Sequence, residues 1–243
     1  MLLEHRPDCR PIHADRLPDS RRVRLALLRH ERLLPSAAAV AQSATNGGLR
    51  DNARMSSDEP EFIIAGEKVA LGPLRNDLAA AYARWMNQLE VRRGLDYRGI
   101  ATSQSQETWV EDNIKRGAED EPQVVEFTIY DRRDSTAVGT AGLLEIAYAH
   151  GTAGFGIFIG ERRGQGLGTE ATRLVLDYAF HVLQLRNVML ETLVWNSAGL
   201  KAYERAGFRR IGVRRGARVS RGQPTDVVLM DAVPEDFGAS TLR

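Results

Sequence analysis

Between an apolar run at 153–160 and an amphipathic stretch stands Arg163-Gly164-Gln165-Gly166-Leu167-Gly168-Thr169-Glu170. Glycines at 164, 166 and 168 let the backbone turn tightly enough for several N–H groups to converge on one anion, and the positive end of a following helix adds to that attraction. The chemistry this spacing suits is a grip on pyrophosphate. Two other glycine-rich phosphate loops do not fit. No Gly-Lys-Ser/Thr follows the glycines, so neither the phosphate lysine nor the Mg²⁺ hydroxyl of a P-loop is supplied. A dinucleotide-binding turn would place its third glycine at Thr169, and Glu191 opens the next apolar run, where a ribose-binding acid should close it. On the glycines alone, a bare strand-to-helix turn remains open.

The elements that must position this turn follow from periodicity. Ala153-Gly154-Phe155-Gly156-Ile157-Phe158-Ile159-Gly160 has the β-branched and aromatic character of a buried strand. From Thr169 onward, Ala171, Leu174, Val175, Tyr178, Ala179 and Val182 fall at helical spacing, with Glu170 in the first turn where the helix dipole favours an acid. Downstream, 188–195 reads as a strand, Asn196 and Ser197 as cap residues, 198–206 as a short helix, and Gly207 as its left-handed terminator before a new strand at Phe208.

Together, the Arg-x-x-Gly-x-Gly turn and the strand–Asn–helix–Tyr-Glu-x-x-Gly-Phe run resemble the GNAT superfamily of acyl-CoA-dependent N-acyltransferases, most closely the branch that acetylates ribosomal-protein N-termini and small amines. The resemblance covers about residues 62–233. It implies an α/β fold with a splayed central mixed sheet flanked by helices, and acetyl-CoA as cosubstrate. By position it also implies that backbone groups of Phe158, Ile159 and Gly160 pair with the pantetheine arm, that Arg163, Gly164, Gln165, Gly166, Leu167 and Gly168 hold the pyrophosphate, and that Asn196 bonds the pantetheine amide. Asn196 as a plain helix cap is compatible with that role. Many relatives carry a proline before the turn, where this chain has Gly160-Glu161-Arg162.

The reaction so implied is attack of an amine on a thioester. An amine with a pKa near ~10 is protonated at neutral pH, so a base must take a proton, and a leaving thiolate with a pKa of about 8.5 gains from an acid. Tyr203 follows Asn196 by two helical turns and matches the family's general acid; packing of the helix on the sheet is the alternative. Glu191 matches the glutamate that relatives place on this strand twelve residues before the tyrosine, and is the first choice as base. Alternation puts it with Met189, Leu193 and Trp195, a face that would raise a carboxyl's proton affinity if dry. The alternatives for Glu191 are a solvated sheet end or a salt bridge. Glu145 and Glu161 are weaker base candidates.

Cys9 is the only cysteine and lies far from any motif, so neither a disulfide framework nor a zinc site is available; His5, His13 and His30 fall in the leader, and His150 and His181 have no metal-ligand spacing. No metal is expected. The absence of an eighteen-residue apolar stretch argues against a membrane span, and the single cysteine fits the cytoplasm.

Residues 1–54 carry 10 arginines against 6 acids, a net charge of +4, whereas 55–243 hold 23 basic and 26 acidic residues, a net of −3. With four prolines and an Ala/Ser/Asn/Gly tract at 37–52, the leader is expected to be mostly disordered. Met55 suits an alternative start, and the catalytic domain is taken as 55–243. An RNA-touching arginine arm is the functional alternative for the leader, but nucleic acid is not expected as a partner of the enzyme.

Further elements are a strand at 69–74, helices at 76–87 and 103–116, strands at 124–130, 137–147 and 153–159, and a closing hairpin of 208–213 and 227–233. An arginine-rich loop at 214–224, with Arg214, Arg215, Arg218 and Arg221, joins the hairpin. Acceptor choice is expected to rest on 92–123, the turn near His150 and this loop. The acids Glu111, Asp112, Glu119, Asp120 and Glu121 would attract a cationic amine, with a solvated helix face as the alternative, while the arginines would favour an anionic acceptor. A protein N-terminus and a small-molecule amine therefore both stand as acceptors. An acyl-CoA-binding sensor without turnover is the non-enzyme alternative, and a homodimer is an admissible assembly.

Overall fold

The computed structural model describes residues 60–243 apart from 96, 221, 241 and 243. The leader at 1–54, the boundary and Met55 start drawn after it, and Arg221 lie outside the described residues.

Eight strands form one sheet: β1 (Ile64–Ala65), β2 (Val69–Pro73), β3 (Val124–Asp131), β4 (Thr136–Ala147), β5 (Thr152–Ile159), β6 (Asn187–Leu193), β7 (Arg209–Ser220) and β8 (Gln223–Ala232). Their order is β1-β2-β3-β4-β5-β6-β8-β7. Every neighbouring pair is antiparallel except β5 with β6. That parallel pair is short. Thr152, Ala153 and Gly154 meet Asn187, Val188 and Met189, and beyond these the two strands run on without pairing to each other. The sheet is mixed and splayed at its centre, as expected.

Helices cover both faces. On one lie α4 (Leu167–Asp177) and α5 (Ser197–Ala206), whose apolar residues Leu174, Val175 and Leu200 pack into a core with Leu71, Ile129 and Leu190 from the sheet. On the other lie α1 (Ala79–Met86), α2 (Leu89–Leu95) and α3 (Ser103–Gly117), where Tyr82 and Trp85 pack with Leu74 and Val110. Tyr82 is fully buried, and its hydroxyl shares a 2.6 Å hydrogen bond with that of Thr128 on β3. A short α6 (Pro234–Phe237) closes the described chain. Among the described residues no helix is long and apolar enough to cross a membrane.

Several elements depart from the periodicity. The helix expected at 76–87 begins as a 3-10 turn, Asn76–Leu78, in which Asp77 accepts from the Arg75 guanidinium at 2.9 Å. Helix α2 was not expected; it is short, ends beside Gly94 and buries only Val91. Helix α3 starts where expected, with Thr102 and Ser105 forming a reciprocal cap. Val182, expected on the buried stripe after Thr169, is 51% exposed, because Tyr178–Val182 widens into a π turn and slips the register.

The largest correction concerns the arginine-rich loop. Arg214, Arg215 and Arg218 belong to β7, a strand of 12 residues paired with β8 almost to its tip, so the expected loop at 214–224 is a long hairpin. A register shift between Arg214 and Arg218 interrupts the pairing, where the Asp226 carboxylate accepts from the Gly216 N–H at 2.7 Å.

Candidate active site

The glycine turn stands at the end of β5. Gly164 and Gly166 both take left-handed backbone, φ +79° and +83°, and α4 starts immediately afterward at Leu167, two residues earlier than periodicity suggests. A Cβ on Gly164 would meet nothing within 4 Å, so this glycine is required by conformation alone. The first N–H groups of α4 have no partner within the helix and open onto the turn. A Cβ on Gly166 would lie 3.5 Å from Lys68 Nζ, which brings an ammonium to the same place. Lys68 is one of only three lysines in the chain. Its role was not legible because it is remote in sequence and sits in the β1–β2 turn.

Two carboxylates set this geometry. Glu170, expected merely to suit the helix dipole, accepts the Lys68 N–H at 2.9 Å and the Glu67 N–H at 2.5 Å, tying the first turn of α4 to the β1–β2 turn. Asp131, at the end of β3, has a side chain only 1% exposed and pairs with Arg133 at 2.5 Å and Arg162 at 2.7 Å. Hydrogen bonds from Arg133 and then Arg162 outweigh desolvation and hold its carboxyl far below the usual carboxylate range. Arg162 also bonds Asp134, and Arg133 donates to Gln165 in the turn at 2.7 Å. Arg162 is itself left-handed at φ 55°, and these carboxylates fix it there.

Arg163, expected at the pyrophosphate, turns back along β5. Its Nε donates to the Ile159 carbonyl at 2.6 Å, and its guanidinium bonds Glu90 and Gln88. Gln88 in turn donates to the Gly160 carbonyl at 3.1 Å, and the Gly160 N–H bonds Val138 at 2.7 Å. The polar groups of Gly160 and the Ile159 carbonyl are therefore engaged within the chain. Phe158 packs its ring toward Trp85 and Met86. The edge that β5 turns toward β6 has no strand partner after Gly154.

Tyr203, on α5, packs edge-on against Phe155 at 6.3 Å and Phe208 at 6.2 Å. Phe155 is the first residue of β5 past the parallel pairing, so the tyrosine stands beside the split. Burial pushes its phenol up to about 12, which keeps it protonated at any physiological pH. Asn196 caps α5, accepting the Gly199 N–H at 3.1 Å while donating to the Thr192 hydroxyl at 3.0 Å. The cap reading of Asn196 is thus present in the structure.

Glu191 shares its sheet face with Met189, as alternation requires, and its side chain is only 11% exposed, but its surroundings are not apolar. Arg214 approaches it at 3.1 Å and Arg218 at 3.6 Å, both from β7 across β8. The salt-bridge alternative therefore describes its surroundings. Glu161 accepts from the Trp85 indole at 2.9 Å and from Arg84, bonds that lower its proton affinity. Glu145 is exposed at the β4 irregularity with φ 49°. A residue that motif matching missed is Glu126 on β3, partly buried, whose carboxyl burial alone pushes up to about 8. Its only sequence signal is one acid inside the apolar run Val-Val-Glu-Phe-Thr-Ile. Among the described residues no three His, Cys, Asp or Glu gather as a metal site.

A family model described as the acetyltransferase (GNAT) domain matches residues 68–209. A probable N-acetyltransferase of Bacillus subtilis (strain 168), YjcK, is 30% identical over 133 residues, 54% of this chain and 71% of that protein. Among solved structures, spermidine N-acetyltransferase from Vibrio cholerae in complex with CoA and spermine has a TM-score of 0.63 at 22% identity, covering 70% of this chain and 98% of that one. Mycobacterium smegmatis RimJ in complex with CoA-disulfide gives 0.63 at 21%, covering 71% and 85%. These two likenesses are of fold, and the family match spans β2 to β6, the glycine turn and α5. The chain belongs to the acetyltransferase (GNAT) family.

Proposed function

We propose that this enzyme transfers the acetyl group of acetyl-CoA to a primary amine, on a protein N-terminus or a small molecule, by direct attack of nitrogen on the thioester. The observation that carries the reading is the parting of β5 from β6 after Gly154, beside the glycine turn and Tyr203. The unpaired edge of β5 offers backbone groups to an extended amide-bearing arm. Gly164, Gln165, Gly166, Leu167 and Gly168, with Lys68 added, receive the pyrophosphate at the start of α4. Arg163 holds the turn to β5 and α2, and Asn196 holds α5 against β6 while its carbonyl oxygen keeps a second lone pair for the arm. Tyr203 donates to the departing sulfur. Glu191 stands on the acceptor side of the split with each oxygen near a guanidinium.

A thiol-release assay with acetyl-CoA against alkylamines, polyamines and peptide N-termini tests this reading. Turnover with at least one acceptor is expected. Tight acetyl-CoA binding with no turnover on any of them favours a sensor or scaffold instead.

A further inference from the structure

On the sheet face that carries α1 and α3, one row of residues runs across four strands. Glu126 of β3 pairs with Gly142 of β4, and Gly142 pairs with Gly156 of β5. Parallel pairing ends at Gly154 with Met189, so the same register carried two residues further sets Glu191 of β6 level with Gly156 across the split. A glutamate thus stands at each end of the row, and the two positions between them have no side chain.

The glycine positions form a floor. A Cβ on Gly142 would lie 2.6 Å from Glu126 Oε2, so the carboxylate leans across β4 toward β5 and occupies the space a side chain would need. A Cβ on Gly156 would meet only Leu144 Cδ1, at 3.5 Å, which leaves the space above it open. Flanking rows supply walls: Thr140 and Phe158 on one side, Leu144 on the other. Adjacent strands stand ~4.8 Å apart, so the open floor beside Glu126 is about one ammonium group wide and ends at the split.

The two carboxylates differ in what holds them. Glu191 faces Arg214 and Arg218. For Glu126 burial alone raises the carboxyl, to about 8, and an ammonium entering the slot is the cation that draws it back to the carboxylate.

Resting on the acetyltransferase reading above, we propose that Glu126 receives the ammonium group of the acceptor on the Gly142–Gly156 floor and takes the proton that frees the amine for attack. The class of acceptor is a primary ammonium on a chain slim enough to lie between Phe158 and Leu144. In the step, the ammonium N–H bond breaks and its proton passes to the Glu126 carboxylate. The nitrogen lone pair forms the C–N bond and the C–S bond breaks. The departing sulfur accepts a hydrogen bond from the Tyr203 hydroxyl and is protonated through it, the acylated nitrogen passing its second proton to the phenol oxygen as the phenol proton moves to sulfur, and Glu126 releases its own to solvent. One proton is liberated per turnover. Glu191 with its two arginines borders the far side of the same slot and positions the acceptor.

The test compares Glu126→Gln and Glu191→Gln with the wild type, in the full chain, against the amine and peptide panel. Acetyl-CoA affinity, measured by calorimetry, reports folding of each variant. For Glu126→Gln the expectation is a loss of about 10²- to 10⁴-fold in kcat/KM at neutral pH. That loss shrinks as pH rises toward ~10, because the acceptor then arrives already deprotonated. Glu191→Gln is expected to lose activity without this recovery at high pH. The proposal is overturned if Glu126→Gln stays within about twofold of wild type, loses activity by the same factor at every pH, or if the recovery belongs to Glu191→Gln instead. Wild-type failure on every acceptor, with acetyl-CoA still bound, refutes the transferase reading and this one with it. A second variant, Gly156→Ala, puts a methyl on the floor without touching Glu126. It is expected to raise KM for the acceptor more than for acetyl-CoA, and an acceptor KM unchanged from wild type would show that the acceptor does not lie on the floor.

Discussion

Replacing Tyr203 by Phe isolates one proton. The ring contacts with Phe155 and Phe208 survive the change, so the folded state keeps its packing and loses only a hydroxyl. Such a substitution is expected to stay within about 0.5 kcal/mol of wild type, or about 2 °C in Tm for a domain of this size. The kinetic effect follows from the phenol's position near 12. A leaving thiol lies at ~8.5, so complete transfer of the proton to the departed thiolate, leaving a tyrosinate, is uphill by about 5 kcal/mol at ~1.36 kcal/mol per pKa unit. Tyr203 therefore acts as a hydrogen-bond donor to sulfur as charge develops. A hydrogen bond to a charged partner is worth about 1.5–3 kcal/mol, which predicts a fall in kcat of about 10- to 150-fold. Thiol release at saturating acetyl-CoA measures kcat, and the KM for acetyl-CoA is expected to hold. An unchanged kcat refutes the role; a fall in kcat accompanied by a large loss of Tm would assign the tyrosine to packing.

Gly160→Ala would place a methyl 2.2 Å from Cγ of Trp85, which is 1% exposed and bonded through its indole to Glu161, so a loss of about 3 kcal/mol is expected in denaturant unfolding. Asp131→Asn leaves Arg162 and Arg133 without their buried counter-charge; because both arginines reach solvent, a loss of about 2–3 kcal/mol is expected, with weaker acetyl-CoA binding through the freed Gln165. Since the folded Asp131 carboxyl is depressed, its contribution is present above the ordinary carboxylate range near ~3.9 and lost in acid below it, and the Asn variant should lack that part of the acid transition. Tyr203 and Tyr82 are both raised to about 12, so their contributions are complete below pH ~10 and lost as pH climbs toward 12. Alkaline melts of Tyr203→Phe should show a smaller decline over that interval. Gly164→Ala meets no atom but must hold φ +79°, so about 1 kcal/mol is expected in stability together with a loss of acetyl-CoA affinity; an unchanged affinity would separate the turn from the pyrophosphate.

The turn was legible because left-handed backbone is written in glycine, and Gly164, Gly166 and Gly207 each adopt it. Strands β3 to β6 were legible because β-branched and aromatic runs are bounded by polar turns. Partnerships formed across the fold were not. Nothing in the spacing of Arg214 and Arg218 reveals that β7 continues to Ser220 and swings both guanidiniums over β8 to Glu191. Lys68, Asp131 and Arg162 meet at the turn from three separate segments, and each pairing depends on strand order. Val182 failed for a local reason: an extra residue in one helical turn rotates everything after it, a shift that a fixed period cannot register. Glu126 escaped because one acid among valines reads as a sheet-surface residue until the register places glycine beside it.

The three residue pairs that join β5 to β6 are the entire backbone ladder between two parts of the sheet, β1 to β5 on one side and β6, β8 and β7 on the other. A seam this short is a natural boundary for sub-global opening. Amide hydrogen exchange is expected to divide along it, with the β6–β8–β7 part exchanging as its own unit. An extended molecule lodged in the gap would add the rungs the chain leaves out. The cosubstrate would then complete the architecture, slowing exchange on both margins of the seam and merging two unfolding units into one.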